Sequence, residues 1–97
     1  MSVTEAQPAR AAFAVEQAWQ LNPQVALRDE SFGALAYHYG NRRLVFLKSR
    51  LLVELVSSLD EYPSAGAAIA ALVPAGQHDA YRRALGRLAA SEVIDVR

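Results

Sequence analysis

The stretch Gly33–Lys48, GALAYHYGNRRLVFLK, decides the fold of this chain, because it has the pattern of a β-hairpin. Two arms rich in apolar and aromatic residues flank Gly40-Asn41, a pair that suits a two-residue type II′ turn. The second arm, Arg42–Lys48, is basic and apolar, and we predict that it forms an outer strand of the sheet. An outer strand has unpaired backbone donors and acceptors, so a protein either shields it or uses it for binding.

The turn sets the register of the hairpin, since strand side chains alternate between the two faces of a sheet. When residues are counted outward from the turn, those that lie opposite each other have side chains on the same face. These pairs are Tyr39 with Arg42, Tyr37 with Leu44, and Leu35 with Phe46. This face is the bulkier one, so we predict that it covers the core. The other face is mixed, and its residues are Ala34, Ala36, His38, Arg43, Val45 and Leu47. A shift by one residue would exchange the two faces.

Local patterns predict the elements on both sides of the hairpin. The three predicted strands are Gln24–Arg28, Phe32–Tyr39 and Arg42–Lys48. The three predicted helices span about residues 50–59, 65–72 and 78–90, and serine N-caps precede the first two, at Ser49 and Ser64. Phe13–Leu21 fits either a strand or a helical turn, and Val93–Val96 fits a short extended tail.

The third predicted helix has the clearest amphipathic pattern. Its apolar residues recur at i, i+3, i+4, i+7 and i+8, as Tyr81, Ala84, Leu85, Leu88 and Ala89. Three strands followed by three helices predict an α+β fold, with a three-stranded antiparallel sheet followed by a three-helix bundle. A tight turn joins two of the helices, which makes the predicted fold winged helix-turn-helix-like. We expect a flexible N-terminal tail over residues 1–12 and a single domain over residues 13–97.

The net charge of zero hides two basic clusters. The first contains no acid and consists of Arg42, Arg43, Lys48 and Arg50. The second consists of Arg82, Arg83, Arg87 and Arg97, with Glu92 and Asp95 among them. If the fold brings the clusters together, they form a positive surface suited to an acidic partner. The alternative is two separate solvated faces.

The composition also bears on the protein's location. The sequence contains no cysteine, which excludes disulfides and thiolate metal sites and fits a reducing cytoplasm. No apolar run approaches the roughly 18 residues that a membrane span needs. The first residues lack the basic flank and apolar core of a signal peptide. We therefore expect a cytoplasmic protein.

A catalytic set of residues is absent from the sequence. Ser31, Ser49 and Ser64 lie at predicted turns and caps, where they need no catalytic role. His38 and His78 fall on different elements, and no further metal ligands accompany them. There is no glycine-rich phosphate loop. We expect no catalysis by the chain alone, no metal and no cofactor.

Two binding functions remain. In one, the fold is a winged-helix DNA-binding regulator, with Arg82, Arg83 and Arg87 on its recognition helix. The zero net charge and Asp79 at the start of that helix count against it. In the other, an extended peptide adds to the third strand, and pockets along four residues select its side chains: Leu44, Phe46, Tyr81 and Leu85. Replacing Val45 with proline would test that edge if the Val45 amide faces the peptide.

The run WQLNPQVALRDESFGALAYHYGNRRLVFLKS, Trp19–Ser49, resembles the peptide chaperones of mycofactocin systems. More broadly it is similar to the peptide-recognition elements of ribosomally made peptides, such as the pyrroloquinoline-quinone peptide chaperone. The shared features are LNPQVALR at Leu21–Arg28, FGAL at Phe32–Leu35, the YHYG-RR-L-FLKS hairpin, and a Leu-x-x-x-x-Val-Ile pattern at Leu88–Ile94. The resemblance covers Trp19–Ile94.

This resemblance implies a specific role and site. Such proteins are non-catalytic adaptors that bind the leader of a precursor peptide and present it to a radical S-adenosylmethionine maturase. In the related proteins the leader pairs with the third strand and lies against the third helix. Carried over by position, the expected peptide-binding residues are Arg42, Arg43, Leu44, Val45, Phe46, Leu47, Tyr81, Arg82, Leu85 and Leu88. Neither nucleic acid nor membrane is an expected partner. Open strands can pair, so the resemblance leaves both a monomer and a homodimer open.

Overall fold

The computed structural model describes residues 12–97, which form two small sheets and three helices. The strands are β1 (Trp19–Leu21), β2 (Val25–Glu30), β3 (Gly33–His38), β4 (Leu44–Leu47) and β5 (Ile94–Val96). The helices are α1 (Arg50–Ser58), α2 (Ala65–Leu72) and α3 (His78–Ala90). Short 3-10 turns at Leu59–Glu61 and Ala75–Gln77 extend α1 and precede α3. Residues 1–11 of the predicted N-terminal tail lie outside the described residues.

The larger sheet is antiparallel, with the strand order β2-β3-β4. The predicted α+β class, the three-stranded sheet and the three helices are thus confirmed, whereas the winged helix-turn-helix form stays a prediction. A second sheet was not predicted. In it β1 pairs with β5 in antiparallel register, with Trp19 opposite Val96 and Leu21 opposite Ile94.

The hairpin register is confirmed, since Tyr37 lies opposite Leu44 and Leu35 opposite Phe46. The predicted type II′ turn is wrong. The backbone N–H of His38 donates to the carbonyl of Arg43 at 2.9 Å, so residues 39–42 form a four-residue loop. The positive φ of 66° falls on Arg42 rather than on a glycine of the loop. Tyr39 and Arg42 therefore lie in the loop and not in the strand ladder.

The predicted orientation of the sheet is also wrong. Ala34, Ala36 and Leu47 are 0%, 1% and 0% exposed, whereas Leu44 and Phe46 are 55% and 54% exposed. The small side chains of Ala34 and Ala36 let α1 pack closely on their face of β3. We call this buried face the inner face of the sheet and the opposite one the outer face. Side-chain size did not predict which face is buried, because a helix packs closely on the sheet only where the side chains are small.

Serine side chains begin two of the helices as predicted. The Oγ of Ser49 accepts the N–H of Leu52 at 2.9 Å, and the Oγ of Ser64 accepts the N–H of Ala67 at 3.0 Å. These bonds satisfy backbone donors that have no partner within the helix. Helix α3 has the predicted bounds, and Leu85, Leu88 and Ala89 of its apolar stripe are buried in the core.

The two ends of the described chain meet beside the helices. Trp19 is buried in the core, and its indole N–H donates to the carbonyl of Ala14 at 2.9 Å. The guanidinium of Arg97 donates to the carbonyls of Trp19, Leu59 and Tyr62 at 2.7 to 2.8 Å. Arg97 therefore joins β1 to the end of α1, and it is not free to serve in a positive surface.

Candidate functional site

Strand β4 is an outer strand of the sheet, and one hydrogen bond determines which of its residues direct their backbone groups towards β3. The bond from His38 N–H to the Arg43 carbonyl makes these two residues a hydrogen-bonded pair. Because such pairs alternate along an antiparallel ladder, Val45 and Leu47 also direct their backbone groups towards β3. Leu44 and Phe46 therefore direct their N–H and C=O groups away from β3, towards an edge that no strand of residues 12–97 pairs with and that we call the open edge. A proline at Val45 would disrupt the hairpin itself rather than this edge.

The side chains of β4 divide between the two faces of the sheet. Leu44 and Phe46 lie on the exposed outer face, and Leu47 is buried on the inner face, where Val45 is half-buried. Arg42, Arg43 and Lys48 flank the strand and are exposed. None of these three cations forms an ion pair within residues 12–97. The open edge is thus apolar along the strand and positive at both ends.

Helix α3 is tied to both ends of the hairpin's second arm. At one end, the hydroxyl of Tyr81 lies 3.0 Å from the Oγ of Ser49, just after β4. At the other end, the chain that leaves α3 reaches the hairpin loop, where Asn41 Nδ2 lies 3.5 Å from the Ser91 carbonyl. These contacts place α3 alongside the hairpin and opposite in direction to β4. The open edge therefore has a helical wall near it.

The other predicted residues of α3 differ in accessibility from Tyr81, which is half-buried. Leu85 and Leu88 are core residues, so they support the wall from beneath. Arg82 is exposed and pairs with the carboxylate of Asp79. The structure thus brings Arg42–Leu47 together as one edge with Tyr81 close to its end. The Arg82–Asp79 pair also removes one free cation from the helix that the DNA-binding alternative uses.

His38 organises the hairpin loop, a role that was not predicted. Its ring is buried, and Nδ1 accepts the backbone N–H groups of Gly40 at 3.0 Å and Asn41 at 3.1 Å. On the other side of the ring, Nε2 lies 3.3 Å from the side-chain amide nitrogen of Asn22 and 4.0 Å from Glu92 Oε1. The histidine two residues before Gly40 was a possible signal, because its side chain can reach amides two and three residues ahead.

Within residues 12–97, no group of three or more His, Cys, Asp or Glu side chains could hold a metal ion. Of the helices in the described part of the chain, none is long and apolar enough to cross a bilayer.

Comparison with known proteins identifies the family. The family model of the peptide chaperone MftB matches residues 18–95, which is most of the chain. The chain belongs to the peptide chaperone MftB family. This result confirms the resemblance found in Trp19–Ile94. No solved structure has significant similarity to the chain.

Three curated relatives carry the name peptide chaperone MftB. The protein of Mycolicibacterium smegmatis is 47% identical over 83 residues, which cover 84% of this chain and 81% of the relative. That of Mycobacterium ulcerans is 44% identical over 84 residues, covering 86% and 77%. That of Mycobacterium tuberculosis is 43% identical over 83 residues, covering 84% and 76%.

Proposed function

We propose that this MftB-family protein is a non-catalytic peptide chaperone of mycofactocin biosynthesis. It binds the leader of a ribosomally made precursor peptide by strand addition at β4 and presents it to a radical S-adenosylmethionine maturase. The observation that carries the proposal is the open edge of β4, where Leu44 and Phe46 direct their backbone groups away from β3. We expect this activity in the cytoplasm.

Strand addition uses two kinds of contact. Main-chain hydrogen bonds to Leu44 and Phe46 supply affinity without regard to the peptide's sequence. Side chains of the added strand alternate between the two faces, so one set lies beside Leu44 and Phe46 and the other beside Val45. On the inner side, Tyr81 forms the nearest part of the helical wall, and Leu85 and Leu88 hold that wall in place.

The charges at the edge favour an acidic leader. Arg42, Arg43 and Lys48 are exposed and form no ion pair within the described residues. Charged groups at the rim of a binding site speed association and select partners of opposite charge more than they add affinity. We therefore expect acidic residues at one or both ends of the bound segment, and binding that weakens as salt increases.

Amide hydrogen exchange tests the site residue by residue. A synthetic leader peptide is added to the labelled protein, and exchange is followed by NMR. The N–H groups of Leu44 and Phe46 should become protected, whereas those of Val45 and Leu47 are already bonded to β3 and should change little. Saturable binding without protection at Leu44 and Phe46 would place the site elsewhere.

Two variants of Phe46 separate the contribution of its backbone N–H to leader binding from that of its side chain. Phe46→Pro removes an outward-facing N–H and should weaken leader binding by tenfold or more, while Phe46→Ala keeps that N–H. Circular dichroism and thermal unfolding check that both variants are folded. If a folded Phe46→Pro protein binds the peptide as tightly as Phe46→Ala, strand addition at β4 is wrong.

A further inference from the structure

The outer face of the three-stranded sheet exposes a group of large apolar side chains. Phe32, Tyr39, Leu44 and Phe46 are 40%, 62%, 55% and 54% exposed. Leu35 and Tyr37 lie between them and are half-buried. We call these six residues the outer patch. Soluble monomers seldom expose a continuous apolar surface of this kind unless it binds something.

The aromatic rings of the outer patch are already ordered. Phe32 and Phe46 stack with ring centroids 5.6 Å apart, and Tyr37 and Tyr39 meet edge to face at 5.0 Å. One pair lies by the turn between β2 and β3, and the other lies by the hairpin loop. Rigid aromatic side chains lose little conformational freedom on binding, which makes them effective anchors of protein interfaces.

No element of residues 12–97 covers this patch. Helix α1 packs against the sheet on the inner face, where Ala34, Ala36 and Leu47 are buried. The other two helices pack with α1, β5 and each other. The outer patch is therefore available to a partner while the core remains closed.

The charges around the patch indicate the chemistry of that partner. Arg42 and Lys48 stand at the two ends of β4, beside Leu44 and Phe46, and form no ion pair within the described residues. On β2, Arg28 is already paired with Glu30 at 2.8 Å. Two copies of this face packed together would therefore bring Arg42 and Lys48 of both copies together, with Glu30 already occupied by Arg28. The complementary surface is apolar at its centre and acidic at its rim.

We propose that the outer patch is the docking surface for the maturase. This inference rests on the proposed function, since it takes the maturase as the protein that receives the peptide. Strand β4 takes part in both interactions: its edge pairs with the leader, and its outer face contacts the enzyme. The leader bound at that edge extends the same sheet, so its outward side chains lie at the border of the enzyme interface. A single strand thereby places the peptide beside its catalyst.

The test uses two patch residues that lie outside β4, one in the turn between β2 and β3 and one in the hairpin loop. The double variant Phe32→Ser/Tyr39→Ser changes two exposed rings and leaves the outward-facing amides of Leu44 and Phe46 intact. Ala71→Glu, at an exposed position on α2, is the matched surface control. For each folded protein, calorimetry measures affinity for a synthetic leader and for the purified maturase, and light scattering measures the oligomeric state.

We expect the double variant to lose at least tenfold in maturase affinity while its leader affinity stays within about twofold. The Ala71→Glu protein should match the wild type in both. Unchanged maturase affinity in the double variant would overturn the docking surface while leaving leader binding intact. A wild-type dimer that the double variant dissociates would assign the patch to a second copy. Absence of leader binding by the wild type would instead contradict the proposed function.

Discussion

The hydroxyl of Tyr81 and the Oγ of Ser49 lie 3.0 Å apart, and the same Oγ accepts the backbone N–H of Leu52. One serine oxygen therefore caps α1 and ties α3 to the end of β4. This bond joins α3 to the end of β4, and the leader is proposed to pair with β4 and to lie against α3. The position of Tyr81 relative to the open edge depends on it.

Removing this bond should loosen α3 and weaken peptide binding. Tyr81→Phe keeps the ring but loses the hydroxyl, so we expect a loss of about 0.5–1.5 kcal/mol in the free energy of unfolding. Ser49→Ala also loses the cap and should cost about 1–2 kcal/mol. Urea denaturation of both single variants and the double variant measures the coupling between the two residues.

Ser64→Ala is the matched control for this pair, because Ser64 caps α2 through the bond to Ala67. It should lower stability by a similar amount while leaving the leader affinity unchanged. Zero coupling between Ser49 and Tyr81 would contradict a role for their bond in positioning α3.

His38 should stabilise the hairpin loop through its Nδ1 atom. His38→Leu leaves the N–H groups of Gly40 and Asn41 without their acceptor, and we expect a loss of about 1–3 kcal/mol in the free energy of unfolding. His38→Asn provides a side-chain oxygen near the position of Nδ1 and should retain part of that stability. Equal stability of the two variants, measured by urea denaturation, would rule out a specific role for these bonds.

Arg97 should contribute to stability although it belongs to a basic cluster of the sequence. Its guanidinium donates to three carbonyls, on β1, the end of α1 and the following segment. Arg97→Met leaves these acceptors without their charged donor, so we expect a loss of about 1.5–3 kcal/mol in thermal or urea unfolding. Arg83→Met, at an exposed position of α3, is the control and should change stability by less than about 0.5 kcal/mol.

Gly33 should tolerate no side chain at the start of β3. Its φ is 148°, and a Cβ there would lie 2.1 Å from the Leu47 carbonyl oxygen. Gly33→Ala should therefore push β4 away and destabilise the protein by more than about 1 kcal/mol. Gly76→Ala is the comparison, because a Cβ at Gly76 would meet no atom within 4 Å. Similar melting temperatures for the two variants would contradict this account.

Local sequence was sufficient to predict several features. The position of the hairpin loop determined the register that pairs Tyr37 with Leu44, since the residues of two arms pair at equal distances from their loop. The serines at positions 49 and 64 predicted where two helices begin, because capping involves groups within one turn. The apolar spacing predicted α3, and the pattern of Trp19–Ser49 indicated the family.

The tertiary structure alone decided which face of the hairpin is buried. Both faces of β3 and β4 carry apolar residues, so the choice depended on how closely α1 could approach Ala34 and Ala36. The pairing of Trp19 with Val96 joins the two ends of the described chain, and no local pattern contains that information. The direction of the Leu44 and Phe46 amides also required the bond between His38 and Arg43. The local sequence predicted that β4 is an outer strand of the sheet. Long-range packing decided which side chains of β4 are exposed, and the hydrogen bonds to β3 decided which of its backbone groups are available to a partner.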